Sequence, residues 1–416
     1  MYTLKFTLKQ HTPIIHFQND HSATIRCSEL KPKLDRFIIS KFSGWDSTPE
    51  KWKQKIDDPR NESLNYRIKV YPVGNQEKLV LEKRIQYPSF FANMGPNYEM
   101  NGKKTLNYYD RLLHFEIHSY NKDLFDWLLQ NNILPEFFAL NNFGTRQSKG
   151  FGSFTVKQIN GLDCKFPTHL FRYKFNINFS DFNFTNFKLL FEKIDIFYRS
   201  LRSGLNLMQG NNKLYVKSLL FMYVHHVLNQ QWDKKTIKKH FLNEEQTNQC
   251  DKYDDAIVCD ATEQGDNLNN KDFRDLFGLS SNESWRGFFN LQKVEGMKEN
   301  GKWIEKPSDD IDIKRFRSPM FFKIIRIRTG FKVYFTFLTD SNVLDRYTQT
   351  TFIIKNNKSE NKSFPLPLYS GFDYFEFMDW VIAKTDMEDH IHHEGTNPNH
   401  IKYKQALIDI FNQLQN

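Results

Sequence analysis

The stretch NFGTRQSKGFGSFTV, residues 142–156, decides how we read the fold. Gly144, Gly150 and Gly152 surround Arg146 and Lys149, and an apolar, strand-like run follows directly. Glycine permits a positive φ and a close approach of another group to the backbone. A glycine-rich basic loop at the start of a strand can therefore hold phosphate through its N–H groups. The same composition is also typical of an ordinary hairpin loop, so this loop alone leaves both interpretations open.

The length and hydropathy of the chain limit its class. Its 416 residues suggest two or three domains. Hydrophobic residues make up 39% of the chain, and no apolar run is long enough to cross a bilayer. The first residues, MYTLKFTLKQ, alternate like a strand, and the four cysteines are too scattered for a disulfide framework. We therefore expect a cytoplasmic protein that has no membrane partner.

The charge balance points to a polyanionic partner. The chain has 58 Lys and Arg residues against 49 Asp and Glu residues, a formal net charge of +9. Its 40 phenylalanines are expected mostly in cores and sheet faces, with a few on exposed sheet faces able to stack on bases.

The first part of the chain predicts a split βαβ pattern. A strand at 2–10 is followed by a helix with Ser28 as a candidate cap, since Pro32 is tolerated only in a first turn. The remaining predicted elements are a hairpin formed by 63–73 and 78–88, a strand at 108–120, a helix at 122–132 and a strand at 151–159. This order predicts an α+β, ferredoxin-like domain over residues 1–165.

A strand followed by a helix recurs after residue 165. The pattern predicts a strand within 168–180, a helix ending at Gly204, a further helix within 213–230 and a strand pair turning at Thr329–Gly330. Two helices close the chain. We therefore expect two ferredoxin-like domains in tandem with insertions, the second at 166–416 with an acidic insertion near 244–275.

Basic residues form three groups at candidate turns. They are Arg26, Lys31, Lys33 and Arg36; then Arg146 and Lys149; then Lys314, Arg315, Arg317, Lys323, Arg326 and Arg328. In a ferredoxin-like domain the loop after the first strand and the loop before the last strand can converge. The first two groups would then surround a groove that follows a sugar–phosphate backbone without reading bases.

Histidines offer the main alternative chemistry. His11, His16 and His21, with Asp20, lie after the first strand and could supply acid–base catalysis of RNA cleavage. The histidine-rich stretch 388–400 is interpreted as a polar loop between two helices rather than a metal site, and Cys250 and Cys259 lack a C-x-x-C partner. We expect no metal and no cofactor.

Three stretches resemble the RAMP proteins, the repeat-associated RNA-binding subunits of CRISPR–Cas effectors. In TPIIHFQNDHSATIRCSELKPKLDRFI, residues 12–38, the matching positions are Ser28, Leu30, Lys31 and Leu34. The glycine loop matches the glycine-rich loop of that family, and RFRSPMFFKII, residues 315–325, is similar to the Arg-x-x-Ser-Pro strand of the Cmr branch of type III systems. Within that branch the stretches look most like the large tandem-RAMP subunit that caps the filament.

The resemblance implies a function and a set of residues. It implies a non-catalytic RNA-binding subunit of a type III CRISPR–Cas ribonucleoprotein in antiviral defence, which holds the guide RNA or the end of the guide–target duplex. Its partners would be guide RNA, target RNA and other RAMP subunits. The implied RNA-binding residues are Arg26, Ser28, Lys31, Lys33, Arg36, Gly144, Arg146, Lys149, Gly150, Gly152 and Arg317.

Two other functions remain open at this point. RAMP endoribonucleases that process guide RNA without a metal share the fold and the loop, and His16 or His21 would be the base. In the family subunit that cuts target RNA an aspartate lies just before the helix, whereas Thr24, Ile25, Arg26 and Cys27 precede Ser28 here, which favours a non-catalytic subunit. The third possibility is an adaptor whose basic residues bind an acidic partner subunit.

Overall fold

The chain forms two compact units with mixed α and β structure. The computed structural model describes residues 1–16, 24–54, 62–71, 77–82, 103–179, 186–230, 271–280, 284–285, 291–310, 315–338, 350–356 and 363–416. One unit comprises Met1–Asp195 with Phe321–Thr336, and the other Ile196–Met320 with Phe337–Asn416. The domain boundary near residue 165 stays a prediction, and most of the predicted acidic insertion lies outside the described residues.

The described helices are α1 (Cys27–Ser40), α2 (Lys122–Gln130), α3 (Ile133–Leu140), α4 (Asn186–Arg202), α5 (Leu219–His226), α6 (Tyr374–Lys384), α7 (Met387–His390) and α8 (Pro398–Gln415). The strands of the first unit are β1 (Tyr2–Gln10), β2 (Arg67–Val70), β3 (Glu77–Glu82), β4 (Lys103–Tyr108), β5 (Leu112–Ser119), β6 (Phe154–Ile159), β7 (Leu162–Asp163) and β8 (Tyr173–Asn178). The strands that follow are β9 (Leu205–Gln209), β10 (Asn212–Val216), β11 (Leu279–Ser280), β12 (Ser284–Trp285), β13 (Leu291–Glu299), β14 (Lys302–Glu305), β15 (Arg315–Phe316), β16 (Met320–Ile327), β17 (Gly330–Phe337), β18 (Thr351–Asn356), β19 (Ser363–Pro367) and β20 (Ile391–Glu394). Among the helices that the structure describes, none combines the length and the hydropathy needed to span a lipid bilayer.

A five-stranded antiparallel sheet is the centre of the first unit. Its strand order is β2-β5-β1-β6-β7, and β1 pairs with both β5 and β6. Side chains alternate across a strand, so Leu4, Phe6 and Leu8 of β1 share one face. All three are buried in one core with residues of α1, α2 and α3. The helices therefore cover one face of this sheet, and α1 follows β1 as predicted.

Helix α1 begins earlier than its sequence suggests. It starts at Cys27 with Arg26 at the N-cap position, so Ser28 lies inside the helix and the predicted cap is wrong. Pro32 lies in the helix interior, where it cannot donate the usual backbone hydrogen bond. Burial of the stripe formed by Leu30, Leu34 and Ile38 stabilises the helix through this interruption.

The predicted hairpin of residues 63–73 and 78–88 is also wrong. Strand β2 pairs with β5, and β3 pairs with β4. Alternation of apolar and polar residues indicates that a segment is a strand, but it does not choose the partner. By contrast, β16 and β17 do meet at Thr329–Gly330, and β17 also pairs with β8.

The second unit departs from its prediction at two places. The helix expected within 213–230 is strand β10 followed by α5, because Ser218 caps α5 by accepting from Phe221 N at 3.2 Å. The histidine-rich stretch is not a simple polar loop, since α7 and β20 precede α8 and β20 pairs with β10.

Two carboxylates and one lysine are buried together in the second unit. The ammonium group of Lys293 contacts the carboxylates of Asp272 and Asp275, and all three side chains are almost fully buried. Asp272 and Asp275 are the last acidic residues of the predicted insertion, so at least this end of the segment belongs to the core.

Candidate nucleic-acid interface

The first turns of α1 contact the glycine loop directly. The Glu29 carboxylate accepts hydrogen bonds from Gly144 N at 3.0 and 3.2 Å and from Gln147 Nε2 at 3.3 Å. The Lys33 ammonium donates to Glu29 Oε1 at 2.8 Å, to Asn142 O at 3.0 Å and to Gln147 Oε1 at 2.9 Å. The loop after the first strand also meets the glycine loop, as the sequence predicted, since Thr145 N donates to Ile15 O at 2.7 Å and Gly152 N donates to Pro13 O at 2.9 Å. We call these residues, Glu29, Lys33, Asn142, Gly144 and Gln147, the helix–loop joint.

The joint places Lys33 differently from the sequence expectation. Its ammonium group is paired with a carboxylate and lies 4.8 Å from the centre of the Phe143 ring. Only 16% of the Lys33 side chain is exposed. Lys33 holds the loop to the helix in this structure.

Lys31 lies apart from the joint, on another side of α1. Its ammonium donates to Asp35 Oδ2 at 2.7 Å, to Ser63 Oγ at 2.8 Å and to Leu64 O at 3.0 Å. It also lies over the Tyr66 ring at 4.5 Å. Since Asp35 is buried, this lysine compensates a buried carboxylate. The structure thus brings Lys33, and not Lys31, to the glycine loop.

The glycines of the loop have a structural explanation. Gly144, Gly150 and Gly152 all adopt positive φ. A Cβ atom at Gly144 would lie 2.5 Å from Ile15 O, and one at Gly152 would lie 1.9 Å from Phe143 O. Their N–H groups donate within the protein: Gly144 to Glu29, Gly150 to Gln147 O and Gly152 to Pro13 O. Contact of these three glycines with RNA stays a prediction.

The other predicted residues near the joint differ in exposure. Ser28 and Arg36 are exposed, while Arg26 and Arg146 are half-buried. Arg146 has a φ of 59°, in the left-handed region. The Lys149 ammonium is inaccessible to solvent. Arg36 lies seven residues after Glu29, which places both on one face of α1.

The third basic group is dispersed. Lys323 is fully buried and donates to Asn141 O and Asn142 Oδ1, both at 3.1 Å, and burial lowers its pKa well below the ordinary value. Arg326 pairs with Asp110 at 2.7 Å. Arg317 and Arg328 are exposed. Lys314 and the side chain of Arg315 lie outside the part of the chain that the structure describes.

Strand β16 also holds the glycine loop through hydrogen bonds and packing. Asn142 Nδ2 donates to Phe322 O at 2.9 Å, and Ser153 Oγ donates to Ile324 O at 2.6 Å. Gly150 lies against Ile324, whose Cδ1 would be 2.2 Å from a Cβ atom. The stretch that resembles the Arg-x-x-Ser-Pro strand therefore supports the glycine loop.

The histidines after β1 are buried where they are described. Arg326 N donates to His11 Nδ1 at 3.0 Å, so His11 Nε2 carries the proton and donates to Thr155 Oγ1 at 2.8 Å. Burial, followed by the charge of Lys323, lowers the pKa of His11. His16 is also buried. Asp20 and His21 lie outside the described residues, as do Cys250 and Cys259.

Residues 388–400 bring two histidine rings together. The His393 and His400 ring centres are 6.4 Å apart, and His390 Nε2 lies 2.7 Å from Lys217 O. Within the described residues, no group of three or more His, Cys, Asp or Glu side chains is arranged to hold a metal ion.

Sequence reasoning missed the polar members of the joint. Glu29, Asn142 and Gln147 were not predicted as site residues. One signal was present, because Glu29 lies four residues before Lys33, the spacing of an ion pair on one helix face.

Comparisons with known proteins identify a family at both ends of the chain. The family model described as the Cmr1 N-terminal domain matches residues 1–205, and the model described as the Cmr1 C-terminal domain matches residues 215–416. No curated protein matches the sequence.

Two solved structures are similar at low identity. One is a chain of the type III-B Cmr-β complex bound to cognate target RNA, solved by cryo-electron microscopy, with 14% identity and a TM-score of 0.27. That match covers 39% of this chain and 60% of the other. The second is the crystal structure of apo Cmr1 from Pyrococcus furiosus, with 13% identity and a TM-score of 0.33, covering 92% of this chain and 96% of that one.

Proposed function

Because the chain belongs to the Cmr1 family, we propose that it is a non-catalytic RNA-binding subunit of a type III CRISPR–Cas ribonucleoprotein. It acts in the cytoplasm in antiviral defence, where it contacts guide RNA, target RNA and other RAMP subunits. The resemblance to the Cmr branch seen in the sequence is confirmed by the family models, and the role in the complex is our inference.

The helix–loop joint is the observation that carries the phosphate-binding role. It fixes the start of α1 and the glycine loop at one end of β1, with Arg26, Arg36 and Arg146 on the elements that it joins. A guanidinium group can contact phosphate through two hydrogen bonds at once. We assign the direct phosphate contacts to these three arginines, with Ser28 as a further donor. Arg317, which is exposed, supplies a separate contact.

The lysines and glycines have supporting roles in this proposal. Lys33 keeps the loop in place and Lys149 adds positive potential, while Lys31 stabilises α1 through Asp35. Gly144, Gly150 and Gly152 permit the tight path of the loop against Ile15, Ile324 and Phe143, and contact of their backbone with RNA stays a prediction.

The same proposal includes the finer architecture. The strand order β2-β5-β1-β6, with α1 after β1 and α2 and α3 after β5, supports a ferredoxin-like first domain with β7 added at the edge. A second ferredoxin-like domain from residue 166, in tandem with the first, is proposed from the sequence pattern.

The non-catalytic role is supported by the chemistry near α1. His11 uses both ring nitrogens in hydrogen bonds with Arg326 N and Thr155, and the four residues directly before Ser28, at positions 24–27, include no carboxylate.

The proposal is tested with the full-length chain and a labelled guide RNA. We expect co-purification of RNA with the chain and retention of intact RNA after incubation of the purified chain with repeat RNA in EDTA. Site-specific cuts that disappear in H16A or H21A would instead support the metal-independent endoribonuclease. Loss of RNA binding together with capture of an acidic subunit would support the adaptor.

A further inference from the structure

The sheet of the first unit has a second face that the helices do not cover. Alternation places Lys5 and Thr7 of β1 opposite the buried Leu4 and Phe6. The register aligns Lys5 with Glu116 and Thr7 with His114, while Lys69 aligns with Glu116. We call this the outer face. The outward positions of β1, β2 and β5 are Thr3, Lys5, Thr7, Lys9, Arg67, Lys69, Leu112, His114, Glu116 and His118.

The outer face carries a net positive charge. Lys5, Arg67 and Lys69 are exposed, and 72% of the Lys5 side chain is accessible to solvent. In these three strands, the outward positions hold a single carboxylate, Glu116, which is 12% exposed and lies 3.8 Å from Lys5 Nζ. A polyanion therefore complements this face better than an acidic or an apolar protein surface does.

A groove crosses the outer face beside Tyr71. Its volume is about 390 Å³, and Tyr71, Thr7, His114, Gln158 and Gly161 contribute to its walls. This volume lies within the range of about 300–1,000 Å³ that is usual for small-molecule sites. The groove combines one aromatic ring with hydroxyl, imidazole and amide groups, which can hydrogen-bond the edge of a planar heterocycle.

Two neighbouring side chains help to position Tyr71. Its hydroxyl donates to the Glu116 carboxylate, and this hydrogen bond lowers the pKa of Glu116. The Lys69 ammonium lies 4.5 Å from the centre of the ring. A ring held in this way loses little conformational freedom when a ligand stacks on it.

We propose that this groove receives one unpaired base of an RNA strand, stacked on Tyr71, while Lys5, Arg67 and Lys69 neutralise neighbouring phosphates. Bases stack on aromatic side chains only when they are splayed out of a duplex, so the ligand is single-stranded RNA. The inference rests on the proposed RNA-binding function, but it uses none of the residues assigned to the helix–loop joint.

The first test is the affinity of the full chain for a short labelled single-stranded RNA, measured by fluorescence anisotropy. We expect Y71L to bind about tenfold more weakly, with an unchanged salt dependence, because the ring makes no phosphate contact. Y71F keeps the ring and loses only the contact with Glu116, so it is expected to bind more weakly than the wild type but more tightly than Y71L. Y120L is the matched control, since Tyr120 is 81% exposed and lies outside the groove, and it is expected to have no effect. Equal affinities for Y71L and Y120L would overturn the proposal.

A second variant keeps the proposal testable if Y71L does not fold. E116Q removes the carboxylate from the outer face and keeps an acceptor for Tyr71, so RNA should bind about threefold more tightly. Unchanged or weaker binding by E116Q contradicts the proposal. If joint variants weaken binding while Y71L and E116Q do not, the outer-face inference fails and the proposed function stands. Loss of a partner subunit in Y71L, with RNA affinity intact, shows that the face binds protein and likewise overturns it.

Discussion

Replacement of Glu29 by glutamine should release the glycine loop from α1. The carboxylate accepts from Lys33 Nζ at 2.8 Å, Gly144 N at 3.0 Å and Gln147 Nε2 at 3.3 Å, and 23% of the side chain is exposed. A hydrogen bond to a charged group contributes about 1.5–3 kcal/mol. Glutamine keeps one acceptor oxygen and introduces an NH₂ group among donors, so E29Q loses roughly one such bond. We expect the loop to be destabilised by about 2 kcal/mol.

Hydrogen–deuterium exchange of the peptide that contains residues 142–153 measures this effect. A cost of about 2 kcal/mol corresponds to roughly thirtyfold faster exchange of the loop amides. D126N is the matched control, because Lys122 and Asp126 form an ion pair of the same spacing whose side chains are 61% and 38% exposed. An exposed pair should contribute little, so loop exchange should not change. If E29Q exchanges like the wild type, the joint does not order the loop.

Three further changes test the packing and the buried charges. G152A should destabilise the first unit by more than about 3 kcal/mol, as measured by urea unfolding, because its Cβ would overlap Phe143 O. The comparison variant G161A, also at positive φ but with open space around it, should cost about 1 kcal/mol. Burial lowers the pKa of His11, so the stability that its neutral form contributes is present above about pH 6.5 and is lost as pH falls towards the folded pKa. The loss is up to about 1.4 kcal/mol per pH unit, and H11Q should flatten that part of a pH–stability curve. K293M leaves two buried aspartates without their cation and should lower the unfolding free energy of the second unit by about 3–5 kcal/mol, as urea unfolding with local probes can measure.

Local patterns in the sequence predicted several elements that the structure contains. The alternation of β1, the apolar stripe of α1 and the turn at Thr329–Gly330 are local features, and each is confirmed. Partners of strands depend on long-range packing, which is why β2 and β3 were joined in a hairpin that does not form. The prediction that Ser28 caps α1 failed because burial of the apolar stripe lets α1 begin earlier than Pro32 suggests.

The location of the candidate site could be predicted from the sequence, but the roles of its residues could be predicted only in part. The meeting of α1 with the glycine loop follows from strand order, and it occurs through Lys33. Counting positive charges did not reveal that Lys31 and Lys33 each have a carboxylate one helical turn away. Nor did it reveal that Lys323 is buried within an apolar strand. Whether a lysine contributes to the charge of the protein surface can be judged only after its burial and its ion pairs are known.

The salt dependence of RNA binding tests the central claim most directly. In the full chain, R36A combined with R146A should reduce the slope of log K against log salt concentration by about 1.4 for single-stranded RNA, since each lost phosphate contact reduces it by about 0.7. The control, K51A with K122A, changes the net charge equally at two lysines of the first unit whose side chains are each 61% exposed, and it should leave the slope unchanged. Equal slopes for the wild type and the double arginine variant would contradict an RNA site at the helix–loop joint.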